Sequence, residues 1–131
     1  MADVKVVDSS AAAALLFGEP DGPVIAACLG ASRLIAPALL DFELANVCVT
    51  KMRKHRALRD ALFKAFALRR RLGVVEAAVD HDAVAQLAGA SRLTGYDASY
   101  LWLAREADAD LVTLDIRLAR AAASLKVRCA P

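Results

Sequence analysis

Short apolar runs alternate with longer stretches of helical periodicity along this chain. Five segments are short and β-branched or continuously apolar, which is typical of strands, and they lie at residues 4–7, 33–36, 74–79, 110–114 and 127–129. Seven further segments place apolar residues at helical spacing, and they predict helices at residues 11–17, 24–29, 38–55, 57–72, 81–92, 98–107 and 116–125.

Residues at the predicted helix boundaries support this pattern. A serine after the first strand is expected to cap the first long helix, and Pro37 suits the first turn of the helix that follows it. Gly73 suits a helix C-cap, Asp80 an N-cap, and Thr94-Gly95 a break between two helices.

The order of the elements predicts the fold class. Strands that alternate with helices indicate an α/β sandwich with a mainly parallel sheet of four to five strands and about seven helices. Right-handed crossovers place the carboxyl ends of all these strands at one edge of the sheet. A chain of 131 residues is the size of a single domain, so we expect one domain over residues 1–131.

Composition restricts the class of protein further. The chain is 58% hydrophobic and 24% charged, with thirty alanines, which excludes disorder and favours helix. No uncharged run approaches the ~20 apolar residues that a membrane span needs, and charged residues interrupt the N-terminus, so we expect a soluble cytoplasmic protein. Cys28, Cys48 and Cys129 are widely spaced, and neither His55 nor His81 has a partner at metal-ligand spacing, so disulfides and zinc are not expected.

Charge is segregated along the chain. Its net charge is +2, but residues 51–71 hold nine basic residues and one acidic residue, which makes this segment +8 and the remainder −6. This asymmetry suggests a polyanionic partner, although a solvated helix face would carry the same charges. The candidate residues for binding a polyanion within it are Lys51, Arg53, Lys54, Arg69, Arg70 and Arg71.

Four acidic residues occupy informative positions. Asp8 and Asp115 each lie at the end of a short apolar strand and before a helix, where α/β proteins bind ligands. Asp97 follows the Thr94-Gly95 break at a helix start, and Glu43 lies inside an otherwise apolar helix. Taken singly, each could be a helix cap, a turn residue or a surface residue. Together they predict an acidic cluster that needs a cation.

The ligand chemistry of this cluster favours hard cations. Oxygen ligands without Cys or His select Mg²⁺ or Mn²⁺, which can activate water and stabilise a phosphoryl group during its transfer. A basic segment beside such a site would hold a phosphodiester chain, and this combination predicts a metal-dependent nuclease. The sequence has no nucleophilic-serine motif, P-loop or dinucleotide-binding motif that would favour another chemistry.

Four motifs in order along the chain resemble the PIN-domain ribonucleases, and more narrowly the VapC-type toxins of toxin–antitoxin pairs. They are V-V-D8-S-S-A, P37-A-L-L-D-F-E43-L-A-N-V, Y96-D97-A-S-Y-L-W-L-A and L-V-T113-L-D115-I-R-L-A-R-A-A. The resemblance implies a three-layer PIN-like sandwich with an acidic pocket for one or two Mg²⁺ or Mn²⁺ ions that cuts RNA. It also implies a cognate antitoxin protein and a toxin homodimer.

The resemblance also implies roles for individual residues. Asp8, Asp97 and Asp115 would be the main metal ligands, and Glu43 would support the metal or its water during attack on the phosphodiester. Ser9 and Thr113 would orient carboxylates or water, and Asn46 shares the helix face of Glu43. Asp41 lies on a different face from Glu43, so at most one of them points into the pocket. Ile116 and Arg117 stand where some members have a further acid, which weakens the case for a second metal.

Three other functions remain to be weighed against this one. A non-catalytic PIN-fold RNA-binding or interaction module would keep the fold without the activity, but all four acids are present. A phosphate-accepting receiver domain needs paired acids after the first strand, whereas Asp8 is followed by two serines. Structure-specific DNA nucleases that share this core are generally larger.

Overall fold

The structure, a computed structural model, describes residues 3–131 of the chain. Within it, one sheet contains five strands that all run parallel, in the order β3-β2-β1-β4-β5. The strands are β1 (Val4–Val7), β2 (Arg33–Ala36), β3 (Val74–Glu76), β4 (Asp110–Val112) and β5 (Cys129–Ala130). The predicted α/β sandwich with a parallel sheet is confirmed.

Seven α-helices accompany the sheet in the described part of the chain. They are α1 (Ser9–Leu16), α2 (Gly22–Leu29), α3 (Leu39–Lys54), α4 (Arg59–Ala67), α5 (His81–Ser91), α6 (Gly95–Glu106) and α7 (Ile116–Ser124). Two short 3₁₀ turns, Arg56–Leu58 and Leu68–Leu72, flank α4. The continuous helix predicted at residues 57–72 is therefore wrong, because its two ends tighten into 3₁₀ geometry. Gly73 ends this segment in the left-handed region, as expected.

Two other predicted boundaries move because side chains cap the backbone. The N-cap of α1 is Asp8 and not a serine, since the Asp8 carboxylate accepts a hydrogen bond from the Ala11 amide. Helix α6 begins at Gly95, three residues before the predicted start, because the Thr94 hydroxyl accepts a hydrogen bond from the Asp97 amide. Thr94-Gly95 is thus the start of a helix as well as a break.

The predicted strands at residues 74–79 and 110–114 are shorter in the structure, and the last strand begins two residues and ends one residue later than predicted. The Thr113 amide still bonds to the Ala130 carbonyl, but the next two amides bond to side chains, which ends the pairing: Leu114 donates to Ser10 Oγ at 2.9 Å and Asp115 to Thr113 Oγ1 at 3.0 Å. β5 pairs with β4 through Cys129 and Ala130. The strand ends therefore already contain the side chains of the candidate site.

Strand order creates the crevice that the acids surround. The chain places β2 and β3 on one side of β1 and then returns to place β4 and β5 on the other side. The carboxyl ends of β1 and β4 therefore flank a topological switch point, where open α/β sheets bind ligands. We call the edge formed by the carboxyl ends of the strands the carboxyl edge.

The core is built from small and branched side chains. The four consecutive alanines Ala11–Ala14 are all buried, so this turn of α1 is enclosed on every side, and Tyr100, Leu101 and Leu111 are fully buried near the central strands. Gly22 allows α2 to approach α1 closely, because a Cβ at this position would lie 2.9 Å from the Ala14 carbonyl oxygen. In residues 3–131, no helix has the length and apolar content needed to cross a membrane.

Candidate active site

Asp8 lies at the switch point and is held from three sides. Its side chain is 4% exposed at the end of β1. Oδ2 accepts a hydrogen bond from the Thr113 hydroxyl at 2.5 Å, and Oδ1 accepts from the Ala11 amide at 3.0 Å. Because these donors come from α1 and the segment after β4, they fix the Asp8 carboxylate between the two central strands.

Ser10 completes this network and was not predicted as a site residue. Its hydroxyl donates to Asp8 Oδ1 at 2.7 Å and accepts from the Leu114 amide at 2.9 Å. Ser9, which was predicted to orient carboxylates or water, lies beside Glu43: burial raises the pKa of Glu43, and a hydrogen bond with Ser9 counteracts this rise. The Asp-x-Ser spacing is a known turn signal and could have identified Ser10.

Glu43 is held by a tyrosine that the sequence reasoning also missed. Tyr100 is 1% exposed, and its hydroxyl donates to Glu43 Oε1 at 2.5 Å. Burial and the neighbouring carboxylates raise the pKa of the Tyr100 phenol, so it remains a proton donor. The available signal was spacing, because Tyr100 lies three residues after Asp97 and thus on the adjacent part of the same helix face.

Asp97 and Asp115 lie at the starts of two helices that reach the same edge. Asp115 is the N-cap of α7, and its Oδ1 accepts from the amides of Arg117 and Leu118 at 2.9 and 3.2 Å. This leaves Oδ2 of Asp115 for other partners. Asp97 is in the first turn of α6, whose start is capped by Thr94.

The charges of these carboxylates raise the pKa values of their neighbours, so the four groups form one cluster. Burial raises the pKa of Asp8 despite the hydrogen bonds from Thr113, Ala11 and Ser10, and the charge of Asp115 raises it further. Burial also raises the pKa of Glu43, against the hydrogen bond from Tyr100, and Asp97 and Asp8 add to this rise. The structure thus brings together the residues predicted to form the acidic pocket.

Asp97 interacts electrostatically with both Glu43 and Asp115. Burial raises the pKa of Asp97, and so does the charge of Asp115, while Thr94 and Arg117 lower it. Arg117 is therefore a cation close to the acids, at a position where some relatives are expected to carry another acid. The cluster has more negative than positive charge, and a bound cation would relieve the repulsion.

The donor chemistry of these residues fits a hard divalent cation. All the ligand atoms are carboxylate or hydroxyl oxygens, which suit Mg²⁺ and Mn²⁺. No three His, Cys, Asp or Glu side chains in residues 3–131 are arranged to hold a metal by themselves. Protein donors already occupy both oxygens of Asp8. This fits Mg²⁺, which commonly uses one or two carboxylates and completes its shell with water and substrate phosphates.

Asn46, which was expected to share the face of Glu43, and Asp41, the competing acid on α3, both lie away from the cluster. Asn46 is exposed and lines a surface groove with Glu19 and Lys51. Asp41 is exposed on another face of α3, and its Oδ1 lies 3.4 Å from Arg69 Nε. Of the two neighbouring acids on α3, only Glu43 contributes to the cluster.

The six candidate RNA-binding residues fall into two groups. Lys51, Arg53 and Lys54 lie at the end of α3, and Lys51 pairs with Glu19 at 2.8 Å beside Phe17. Because Phe17 follows α1, this group lies about 12 Å along α1 from the carboxyl edge.

The second group, Arg69, Arg70 and Arg71, lies in the 3₁₀ turn after α4. Arg69 is half-buried, with its guanidinium 4.3 Å from the centre of the Phe66 ring and close to Asp41 in the first turn of α3. Arg70 and Arg71 are exposed. Arg69 therefore attaches this turn to α3, and of its two exposed neighbours Arg70 lines a cleft with Ala36 and Pro37 at the carboxyl end of β2.

Comparison with known proteins places this geometry in a family. The model of the PIN domain matches residues 5–124. Seven chains of solved structures match significantly. Among them, the crystal structure of PAE2754 from Pyrobaculum aerophilum is similar with a TM-score of 0.73 and 27% identity, over 92% of this chain and 87% of that one. No curated protein matches the chain significantly.

Proposed function

This chain belongs to the PIN domain family, whose fold is generally that of a nuclease, and we propose that it is a Mg²⁺- or Mn²⁺-dependent endoribonuclease. The observation that carries the proposal is the cluster of Asp8, Glu43, Asp97 and Asp115 at the switch point, where three of the four carboxyl pKa values are raised. A metal-dependent nuclease needs such a concentration of oxygen ligands, because they hold the cation that neutralises the charge of the phosphate.

Asp8, Asp97 and Asp115 would hold the cation partly through bound water, since no three acids of residues 3–131 are arranged to ligate it directly, and Glu43 would lie beside it. When bound, the cation supplies charge neutralisation and an activated water at the phosphodiester. Thr113 and Ser10 keep the Asp8 carboxylate oriented, because they hold one oxygen each. Asp115 directs Oδ1 into its helix, which leaves Oδ2 for the site.

Glu43 is the group best suited to accept a proton in this site. Tyr100 occupies Oε1, so Oε2 is the oxygen available to a water. Its raised pKa brings its protonation closer to neutral pH, where a general base works best. Tyr100 does not contact the reacting atoms in this scheme, and it acts by positioning Glu43.

The exposed cations would bind phosphates that flank the cleavage point. Arg70 lies near the carboxyl end of β2 with Arg71 exposed beside it, and Arg53 and Lys54 lie at the end of α3. Lys51 and Arg69 contribute less in this scheme, because each already pairs with an acid of the chain. Binding through phosphates makes RNA affinity fall as salt rises.

We further propose that the protein is the VapC-type toxin of a toxin–antitoxin pair, that it inhibits translation by RNA cleavage and that it acts as a homodimer. Large apolar side chains are exposed along residues 58–68, namely Leu58, Phe63 and Leu68. Exposed apolar patches of this kind are typical of protein–protein interfaces and suit a cognate antitoxin or a second copy.

Cleavage of total RNA by the purified protein tests the enzymatic proposal. We expect discrete fragments with Mg²⁺ or Mn²⁺, none with EDTA, and none from Asp8→Asn. Asn can still cap α1, so this variant is expected to fold. Full metal-dependent cleavage by Asp8→Asn would contradict the assignment of the site.

A further inference from the structure

The three most exposed large apolar side chains in residues 3–131 all belong to helix starts that also carry acids of the cluster. They are Phe42, Ile116 and Tyr96, which are 72%, 68% and 65% exposed. Each is the direct neighbour in sequence of one of the acids Glu43, Asp115 and Asp97. Single exposed apolar residues are ordinary, but three around one polar site are not.

The fold explains why these three side chains meet at one edge. Phe42 is in the first turn of α3, directly after β2, and Ile116 is the first residue of α7, after β4. Tyr96 is the second residue of α6, whose first turn also carries Asp97. We call Phe42, Tyr96 and Ile116 the apolar rim.

An apolar cleft continues from the rim between α3, α5 and α6. Its volume is about 490 Å³, within the range typical of small-molecule sites, and its lining includes Pro37, Leu39, Val79, Val84 and Tyr96. Most of its wall is apolar, and it opens next to Asp97 through Tyr96. A ligand in this cleft would therefore be continuous with one bound at the acids.

The geometry points to the apolar rim and this cleft as the site for unpaired nucleobases on either side of the scissile phosphate. This inference rests on the proposed nuclease function and adds to it the residues of this chain that would contact the bases. Two of the three rim side chains are aromatic, and unstacked bases of single-stranded RNA bind by stacking on such rings. The cleft is large enough for a base and too small for a partner helix.

Base stacking also provides binding that the negative charge of the acids does not oppose. Their charges repel the phosphates of the RNA, and the exposed cations Arg70 and Arg71 lie to one side of them. Contacts with bases do not depend on charge, so they hold RNA at the acids where phosphate contacts are weak. Variants of the apolar rim and variants of the basic residues therefore test the base contacts and the phosphate contacts separately.

Binding of a fluorescent single-stranded RNA of randomised sequence, measured by anisotropy in EDTA, tests this inference without cleavage. Tyr96→Ala and Phe42→Ala are expected to weaken binding about 5- to 150-fold each, as loss of one stacked base implies. Tyr96→Phe keeps the ring and is expected to bind as the wild type does. Val24→Ala, an exposed apolar position on α2, is the matched control and is expected to have no effect.

A second RNA of the same length with abasic sugars tests whether bases are the ligand. We expect the wild type to bind it more weakly than Tyr96→Ala binds ordinary RNA, and Tyr96→Ala to bind it about as weakly as the wild type does. Equal binding of both RNAs by the wild type would overturn the inference. So would a rim variant that changes the oligomeric state in sedimentation but not RNA affinity, which would make the rim an interface between copies.

The outcomes separate this inference from the proposed function. If the wild type cleaves RNA while the rim variants bind and cleave as it does, the base contacts are refuted and the nuclease stands. If the wild type binds RNA through the rim in EDTA but never cleaves with metal, the nuclease is refuted and the base contacts stand. If the wild type neither binds nor cleaves RNA, both are refuted.

Discussion

Tyr100→Phe is the most informative single change, because it removes one oxygen from the buried support of the site. The hydroxyl donates to Glu43 Oε1 at 2.5 Å, and Phe fills the same space in the core. A hydrogen bond to a charged group contributes about 1.5–3 kcal/mol. Glu43 is only half-buried and keeps its contact with Ser9, so we expect a loss of about 1–2 kcal/mol in the free energy of unfolding.

The expected change in Tm follows from the chain length. With an unfolding entropy of about 2.1 cal/mol/K per residue, this loss lowers the Tm by about 4–7 °C. The phenol lowers the pKa of Glu43, so its removal raises that pKa further. The deficit is therefore largest above the Glu43 pKa and shrinks at lower pH, where the carboxyl is protonated in both proteins.

Thermal unfolding followed by circular dichroism at several pH values checks this prediction. Tyr96→Phe is the matched control, since it removes the hydroxyl of the only other tyrosine, which is exposed. We expect the Tm of the control to stay unchanged. A Tyr100→Phe protein with the wild-type Tm at neutral pH would refute the reasoning, because the bond to Glu43 would then contribute nothing.

Three further predictions concern the acids and the packing. Because burial raises the pKa of Asp8, Glu43 and Asp97, the folded protein binds more protons than the unfolded chain above pH ~4. In EDTA its Tm should therefore fall as pH rises through these raised pKa values, and Mg²⁺ or Mn²⁺ should restore the Tm at neutral pH. A flat profile of Tm against pH would argue against the burial of these three groups as acids. Thr113→Val removes the hydroxyl that donates to Asp8 and should lower the free energy of unfolding, measured in urea, by about 2–3 kcal/mol. Thr50→Val, at an exposed position of α3, is the control and should change this free energy by less than about 0.5 kcal/mol. Equal effects of the two variants would contradict a special role of Thr113. Gly22→Ala should destabilise the protein by about 1–3 kcal/mol, because the new Cβ would meet the Ala14 carbonyl. Gly89→Ala, where a Cβ would meet no other atom, should stabilise it slightly. If Gly89→Ala were the more destabilising of the two, α1 and α2 would not be in tight contact at Gly22.

The strand and helix order was predictable because its signals are local. Apolar runs and helical spacing identified all five strands and six of the seven helices with small boundary errors. The error at residues 57–72 had a different cause. Arg69 attaches the turn to α3 through Asp41, and such a long-range contact does not appear in hydrophobic periodicity.

The position of the acids was predictable for the same reason, since parallel strands bring their carboxyl ends together. What the sequence could not indicate is which side chains hold these acids. Ser10, and not Ser9, bonds to Asp8, and Tyr100 reaches Glu43 from another helix. Both choices depend on helix rotation and on distances between elements, which the order of residues does not define.

Cleavage by charge-matched variants tests the central claim most directly. The rates of Asp8→Asn, Glu43→Gln, Asp97→Asn and Asp115→Asn on single-stranded RNA with Mn²⁺ are compared with that of Asp41→Asn, which removes the same charge from the exposed face of α3. Loss of one acid–base or ligand group commonly costs about 100-fold or more. We expect such losses for the four clustered acids and a rate within about 2-fold of the wild type for Asp41→Asn. Equal rates for all five variants would contradict the assignment of one catalytic cluster.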